Sequence, residues 1–263
     1  MQAAGYGADG KDRASADHNT LKQENYAVMT QRLADIRRFY GLMDILKQKM
    51  GGPRTLASSS GRLSWPQRGV YFFFENGETR STSGSGPRVV RIGTHALKKG
   101  AGTTLWKRLS GHQGTIRSGS GNHRGSIFRL LVGTALMARD GNCCPTWDNG
   151  CASAPKETRD AERDMEIRVS KVIGAMPFLW LPVEDEAGRD SKRGTIERGT
   201  IALLSNLDRE PIDPPSPDWL GLYCSRPRIR QSGLWNATHT NEDYDPVFLD
   251  LFQHFIHEAE DRT

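Results

Sequence analysis

Gly69-Val70-Tyr71-Phe72-Phe73-Phe74, then Val89-Val90-Arg91-Ile92-Gly93-Thr94-His95, then Leu105-Trp106-Lys107-Arg108-Leu109-Ser110-Gly111-His112 are the runs that decide the fold. The first two are short, rich in β-branched and aromatic residues, and bounded by Gly, Pro and Ser, which predicts strands. Residues 75–87 between them hold the Asn76-Gly77 pair and a Ser/Gly-rich tip, so the strands form a hairpin with a long loop. The third run is a cationic helical segment.

Charge is spread unevenly around this hairpin. The 263 residues carry a formal net charge of +5, yet residues 79–139 contain no Asp or Glu and eleven Lys or Arg. A solvated surface mixes both signs, so a stretch this one-sided predicts a polyanionic partner, most often nucleic acid. A plain basic surface is the bland alternative. Lys98, Lys99, Lys107, Arg117, His123 and Arg124 are the residues expected to meet that partner. The Gly/Ser-rich loop over 113–125 has the glycines needed to bring main-chain amides close to a phosphate, or it is an ordinary loop.

Working outward, the length allows one large domain or a core with accessory segments. Residues 1–23 offer little to bury and are expected to be disordered. Over 24–65 comes a helix, with Val28, Leu33, Ile36, Phe39, Met43 and Leu46 at three- and four-residue steps, and then a linker. A core is expected over 66–210, with an inserted helix-and-loop region at about 113–175. Its third strand is expected at 177–183. A C-terminal extension over 211–263 ends in a helix at 247–256. No apolar run approaches the roughly 18 residues needed to span a bilayer, and residues 1–19 lack a signal-type apolar segment, so a cytoplasmic home is expected. Cys143, Cys144, Cys151 and Cys224 fit neither a disulfide framework nor zinc spacing and read as free thiols.

In the helix expected within 191–206, Ile196, Thr200, Leu203 and Leu204 share one face. At 100° per residue, Glu197 falls inside that apolar arc. A carboxylate there is costly unless it is paired or binds a metal. It is either a first-turn residue favoured by the helix dipole or a metal ligand.

The order of strand, strand and Arg-bearing helix resembles the GIY-YIG nuclease superfamily. Gly69-Val70-Tyr71 stands where that superfamily has its first signature, Arg91-Ile92-Gly93 where it has its second, and Arg108 where its helix carries an arginine. The resemblance implies an α+β fold, a small three-stranded sheet packed with helices, here with N- and C-terminal helical extensions. It implies hydrolysis of phosphodiester bonds with one divalent metal, Mg²⁺ or Mn²⁺, held by a helix glutamate, the place of Glu197. It also implies an asparagine further on, for which Asn206 is the first choice and Asn236 the second.

Under this resemblance Tyr71 acts as a general base or holds the water, and Arg108 offers its donors to the charge that develops on phosphorus. Some restriction-type members carry a His at the offset of His112. With no second recognisable domain, a restriction- or defence-type enzyme is the expected subtype. His95 lies just past Gly93 and could take over a missing phenol's task. Arg91 stands where the pattern has Tyr: a cation there serves the scissile phosphate, or it marks an altered catalytic apparatus. The expected partner is DNA, double-stranded ahead of single-stranded or RNA, with no membrane and with homo-oligomerisation left open. The rival reading is a non-catalytic nucleic-acid-binding protein on the same fold.

Overall fold

The protein was described from a computed structural model that covers residues 9–115, 121–149, 153–188 and 190–260, with side chains from residue 27 onward. Helix α1 (Asp9–Lys49) is followed by β1 (Arg54–Thr55), β2 (Gly69–Thr79), β3 (Pro87–Gly93), α2 (Leu105–Gln113), α3 (Ile127–Asp140) and α4 (Lys156–Ala175). Then come β4 (Pro177–Pro182), α5 (Lys192–Leu204), α6 (Pro227–Ser232) and α7 (Phe248–Glu258). Helix α1 begins well before the expected start at residue 24. Residues 11–40 contain no Gly or Pro, so nothing stops a helix propagating backward from its packed end. The rest of the expected disordered tail, residues 1–8, lies outside the described residues.

The sheet has four antiparallel strands in the order β1-β4-β2-β3, one more than expected. The extra strand is two residues long, Arg54 opposite Phe178 and Thr55 opposite Pro177, too short to show a period-2 pattern. The first six residues of β2 are all buried, because helices cover both faces of the sheet. That is why the run is continuously apolar instead of alternating. On one face Phe72 meets Phe39 of α1 and Phe252 of α7, with ring centroids 6.1 and 5.6 Å away. On the other face Phe73 meets Phe128 of α3 at 5.5 Å. Tyr71 shares that second face by the strand's alternation.

Strand β3 is the sheet edge, and the chain after α6 covers it. The Trp235 amide donates to Val90 O at 2.7 Å. The side chain of Asn236 then accepts from the Ile92 amide at 3.1 Å and donates to the Ile92 carbonyl at 2.8 Å. One amide side chain thus satisfies both main-chain groups of an edge residue, which leaves no open ladder there. The N- and C-terminal helices share one hydrophobic core with the sheet. No helix among the described residues is long and apolar enough to cross a membrane.

Candidate active site

The two signature glycines are explained by close approach. Tyr71 faces Gly93 across the β2–β3 ladder. A Cβ at position 93 would stand 2.3 Å from the Tyr71 hydroxyl, and one at position 69 would stand 2.5 Å from the Leu181 carbonyl oxygen. Only glycine lets the phenol lie flat against β3 and lets β2 pack closely on β4.

Helix α2 is started by Thr104, whose hydroxyl accepts from the Lys107 amide at 3.2 Å. Leu105 and Leu109 are buried, and Arg108 and His112 follow one turn apart on the same flank. The His112 Nε2 lies 2.8 Å from the Tyr71 hydroxyl, and its Nδ1 lies 2.7 Å from Ser126 Oγ, the N-cap of α3. Both rings are fully buried. Burial, with Arg108, Arg91 and Arg129 nearby, holds the imidazole well below its ordinary pKa, so it is neutral.

Beneath His112 lies Arg129, fully enclosed. It donates to His112 O at 2.9 Å and to Ser170 Oγ at 3.0 Å, and it pairs with the Glu166 carboxylate. Main chain wraps so tightly around this guanidinium that a Cβ at position 121 would fall 1.9 Å from Arg129 Nη2. The loop glycine expected to approach a phosphate serves an internal arginine. Residues 116–120 of that loop, including Arg117, lie outside the described residues.

Arg91, at the place of the signature tyrosine, is buried. It donates to the Trp235 carbonyl, lies 4.7 Å from the centre of the Phe128 ring and sits near the Tyr71 phenol. Burial lowers its pKa, and Arg108 adds to the effect. Its Nε is enclosed without a hydrogen-bond partner, as is the Nε of Arg108.

Glu197 sits in the first half of α5 and reaches the exit of β3. Its Oε1 accepts from the Thr94 amide at 3.1 Å. Thr94 Oγ1 in turn donates to Gly69 O at 2.8 Å, which ties both signature strands to this carboxylate. Burial raises the Glu197 pKa, opposed by the Thr94 hydrogen bond and by the charges of Arg91, His239 and Arg108. Among the described residues no three His, Cys, Asp or Glu side chains cluster as a multidentate metal site. A single carboxylate with one oxygen engaged by the Thr94 amide has the chemistry to take a hard cation at its other oxygen.

His95 stands at the start of the loop between β3 and α2. Its Nδ1 lies 2.7 Å from Thr103 O, and Arg193 of α5 donates to its carbonyl at 2.7 Å. Arg193 is fully buried and paired with Asp185, whose Oδ2 also accepts from Ser191, the N-cap of α5.

Tyr71, Arg91, His95, Arg108, His112 and Glu197 therefore converge on one end of the hairpin. Asn206 does not. It lies two residues past the end of α5, whose last residue, Leu204, is already about 10 Å along from Glu197 at 1.5 Å per residue. There its Oδ1 accepts from Arg32 at 2.9 Å and from the Ile212 amide at 3.0 Å. Asn236, the second choice, lies on β3 beside Arg91. Lys98, Lys99 and Lys107 are exposed around the same end.

His123 and Arg124 are turned inward. His123 stacks on Trp147 with centroids 3.9 Å apart and lies 3.0 Å from Glu166, while Arg124 grips both oxygens of Glu162 at 2.6 and 2.7 Å. Sequence reasoning missed Thr94, Ser126, Arg193 and His239. Thr94 and Arg193 act through main-chain contacts that side-chain patterns do not reveal.

A family model described as the GIY-YIG domain matches residues 30–262. No curated protein and no solved structure matches the chain.

Proposed function

This chain belongs to the GIY-YIG family of nucleases, and we propose that it is a divalent-metal-dependent endonuclease that hydrolyses phosphodiester bonds in DNA, of restriction or defence type. The observation that carries the reading is one buried carboxylate, Glu197, in the field of two arginines, Arg91 and Arg108, whose Nε atoms are enclosed and unpartnered. Buried donors without acceptors are costly, and a phosphate oxygen removes that cost.

Glu197 would hold Mg²⁺ or Mn²⁺ through its carboxylate. The metal, when bound, neutralises phosphate charge and lowers the pKa of a bound water. Arg108 offers its guanidinium to the non-bridging oxygens, where charge grows in the transition state. His112 holds the buried Tyr71 phenol by a hydrogen bond with Arg91 close by, so Tyr71 acts as a fixed, oriented hydroxyl behind the arginines. Lys98, Lys99 and Lys107 meet the phosphates on either side of the cut. Asn236 takes the asparagine's part by fixing β3 under Arg91. Double-stranded DNA is the favoured substrate, since these lysines lie on the exposed surface around the site.

Incubation of the purified protein with supercoiled plasmid and with a single-stranded oligonucleotide, in Mg²⁺ and in EDTA, tests the reading. Metal-dependent nicking of the plasmid supports it. Retardation of DNA without cutting in any metal favours the non-catalytic binder instead.

A further inference from the structure

A cavity of about 340 Å³ lies between α1 and the loop end of the β2–β3 hairpin. Its place follows from the sheet. Phe72 faces α1, and Phe74, two residues on, and Leu179, the partner of Phe72 on β4, share that face. Pairing of β4 with β2 stops at Phe73 opposite Phe178. Beyond it the space beside β2 and under α1 is left open. Tyr40 and Met43 of α1, with Phe74, Leu179, Pro53 and Pro177, give the cavity an apolar wall. Ligand sites have this form, about 300–1,000 Å³ of mostly apolar lining with a few polar groups. The catalytic end of the hairpin is about 17 Å away, at ~3.3 Å per residue from Asn76 back to Tyr71.

The charged side chains around this space do not cancel. Asp44, Lys47, Glu75, Glu78 and Arg80 border it. Two of the carboxylates are engaged elsewhere. Glu75 accepts from the indoles of Trp219 and Trp235 at 3.0 and 3.1 Å. Glu78 accepts from Arg88 at 2.7 Å and from the Ser216 hydroxyl. That leaves Asp44 and Lys47, both exposed and one turn apart on α1, and Arg80 of the hairpin loop. The Arg80 guanidinium lies 4.3 Å from the centre of the Tyr40 ring and donates to the Ser85 carbonyl, which holds it against the cavity wall. The Tyr40 hydroxyl accepts from the Val89 amide at 3.0 Å, so the phenol is fixed from behind. Two cations and one free carboxylate therefore rim an apolar space.

We propose that this cavity binds a small organic anion, a ring-bearing monocarboxylate. Its apolar body rests on Met43, Phe74 and Leu179, and its carboxylate lies between Lys47 and Arg80. The ring removes apolar wall from water, and the carboxylate makes charge-assisted hydrogen bonds to the two cations. The site is separate from Glu197 and does not depend on the nuclease reading.

The probe is naphthoate, with naphthylmethylammonium as the same ring carrying the opposite charge. The full chain, labelled at its methionine methyl groups, is titrated with each and followed by NMR. Met43 is the one methionine among the described residues that lines the cavity, and Met43→Leu assigns its signal. Naphthoate should move that signal to saturation, and the ammonium should bind about tenfold more weakly or not at all. Lys47→Gln, at an exposed position, should weaken naphthoate by about threefold, and Arg80→Gln by about tenfold. If Arg80→Gln does not fold, Lys47→Gln decides. A Met43 signal that naphthoate leaves unmoved overturns the proposal. So does an ammonium that binds as tightly as the carboxylate, or unchanged naphthoate affinity in Lys47→Gln.

Discussion

The Tyr71 hydroxyl lies 2.8 Å from His112 Nε2, and neither ring is exposed to solvent. Their contact joins β2 to α2 across the core, and Ser126 and Arg129 extend it to α3. The catalytic end of the hairpin is thus set by a chain of buried polar groups as well as by strand register. Tyr71→Phe leaves the buried His112 Nε2 without its partner, at a cost of about 1–3 kcal/mol. Urea titration should show a lower midpoint with an unchanged slope, and plasmid cleavage should fall by roughly 100-fold.

The two asparagines predict opposite phenotypes. Asn236→Ala unpairs the amide and carbonyl of Ile92 beside Arg91. It should lower both stability and cleavage. Asn206→Ala removes a partner of Arg32 and of the Ile212 amide far from Glu197. It should lower the unfolding midpoint and leave the cleavage rate of the folded fraction unchanged. Thermal melts beside single-turnover rates check the pair.

Arg129→Ala would leave Glu166 buried without its guanidinium partner and free the main chain behind His112. Breaking such a pair from one side costs about 3–5 kcal/mol. Denaturant unfolding should show a loss of that size, larger than the loss in Arg139→Ala, whose pair with Asp140 is exposed and screened by solvent.

Asp213 pins the hairpin loop by accepting from the amides of Ser81, Thr82 and Ser83 at 2.9, 2.7 and 2.9 Å and from the Ser83 hydroxyl. Burial alone would raise its pKa, but these donors outweigh it and hold the carboxyl below its ordinary value. A carboxyl whose pKa is depressed by folding adds stability above its unfolded pKa of about 3.9, and that stability is lost as pH falls through the folded value. The stability gap between wild type and Asp213→Asn should therefore be constant near neutrality and shrink below about pH 4, as read by urea unfolding across pH.

Lys98, Lys99 and Lys107 are exposed, whereas His123 and Arg124 serve Glu166 and Glu162. Alanine at each lysine should weaken DNA binding across sequences and reduce the slope of log K against log salt by about one. Arg124→Ala should change stability instead and leave that slope unaltered in the folded protein.

Strand runs, helix periods and the two glycine signatures were legible because each is a local pattern with a local cause. The unbroken apolar run of β2 matches its burial on both faces, and the place of Glu197 matches its helical angle. The acid-free stretch did not show which of its cations are left for a polyanion, because the partners of several come from outside it. Arg88, Arg124, Arg129 and Arg139 pair with Glu78, Glu162, Glu166 and Asp140, which precede or follow residues 79–139. Counting charge along the chain cannot see pairs closed across it. Asn236 was placed second for a similar reason: its contact with β3 depends on the C-terminal segment lying along that strand, between residues 144 positions apart.

The central claim is that Glu197 holds the metal for a phosphodiester hydrolase. Its most direct measurement is single-turnover plasmid cleavage in Mg²⁺ by Glu197→Gln, beside DNA affinity in Ca²⁺ and the unfolding midpoint. Glutamine keeps an oxygen for the Thr94 amide and removes the charge. Loss of a metal's stabilisation, worth several kcal/mol, predicts a fall of about 10³-fold or more with folding and DNA binding retained. A Glu197→Gln protein that cuts plasmid at the wild-type rate would contradict the account.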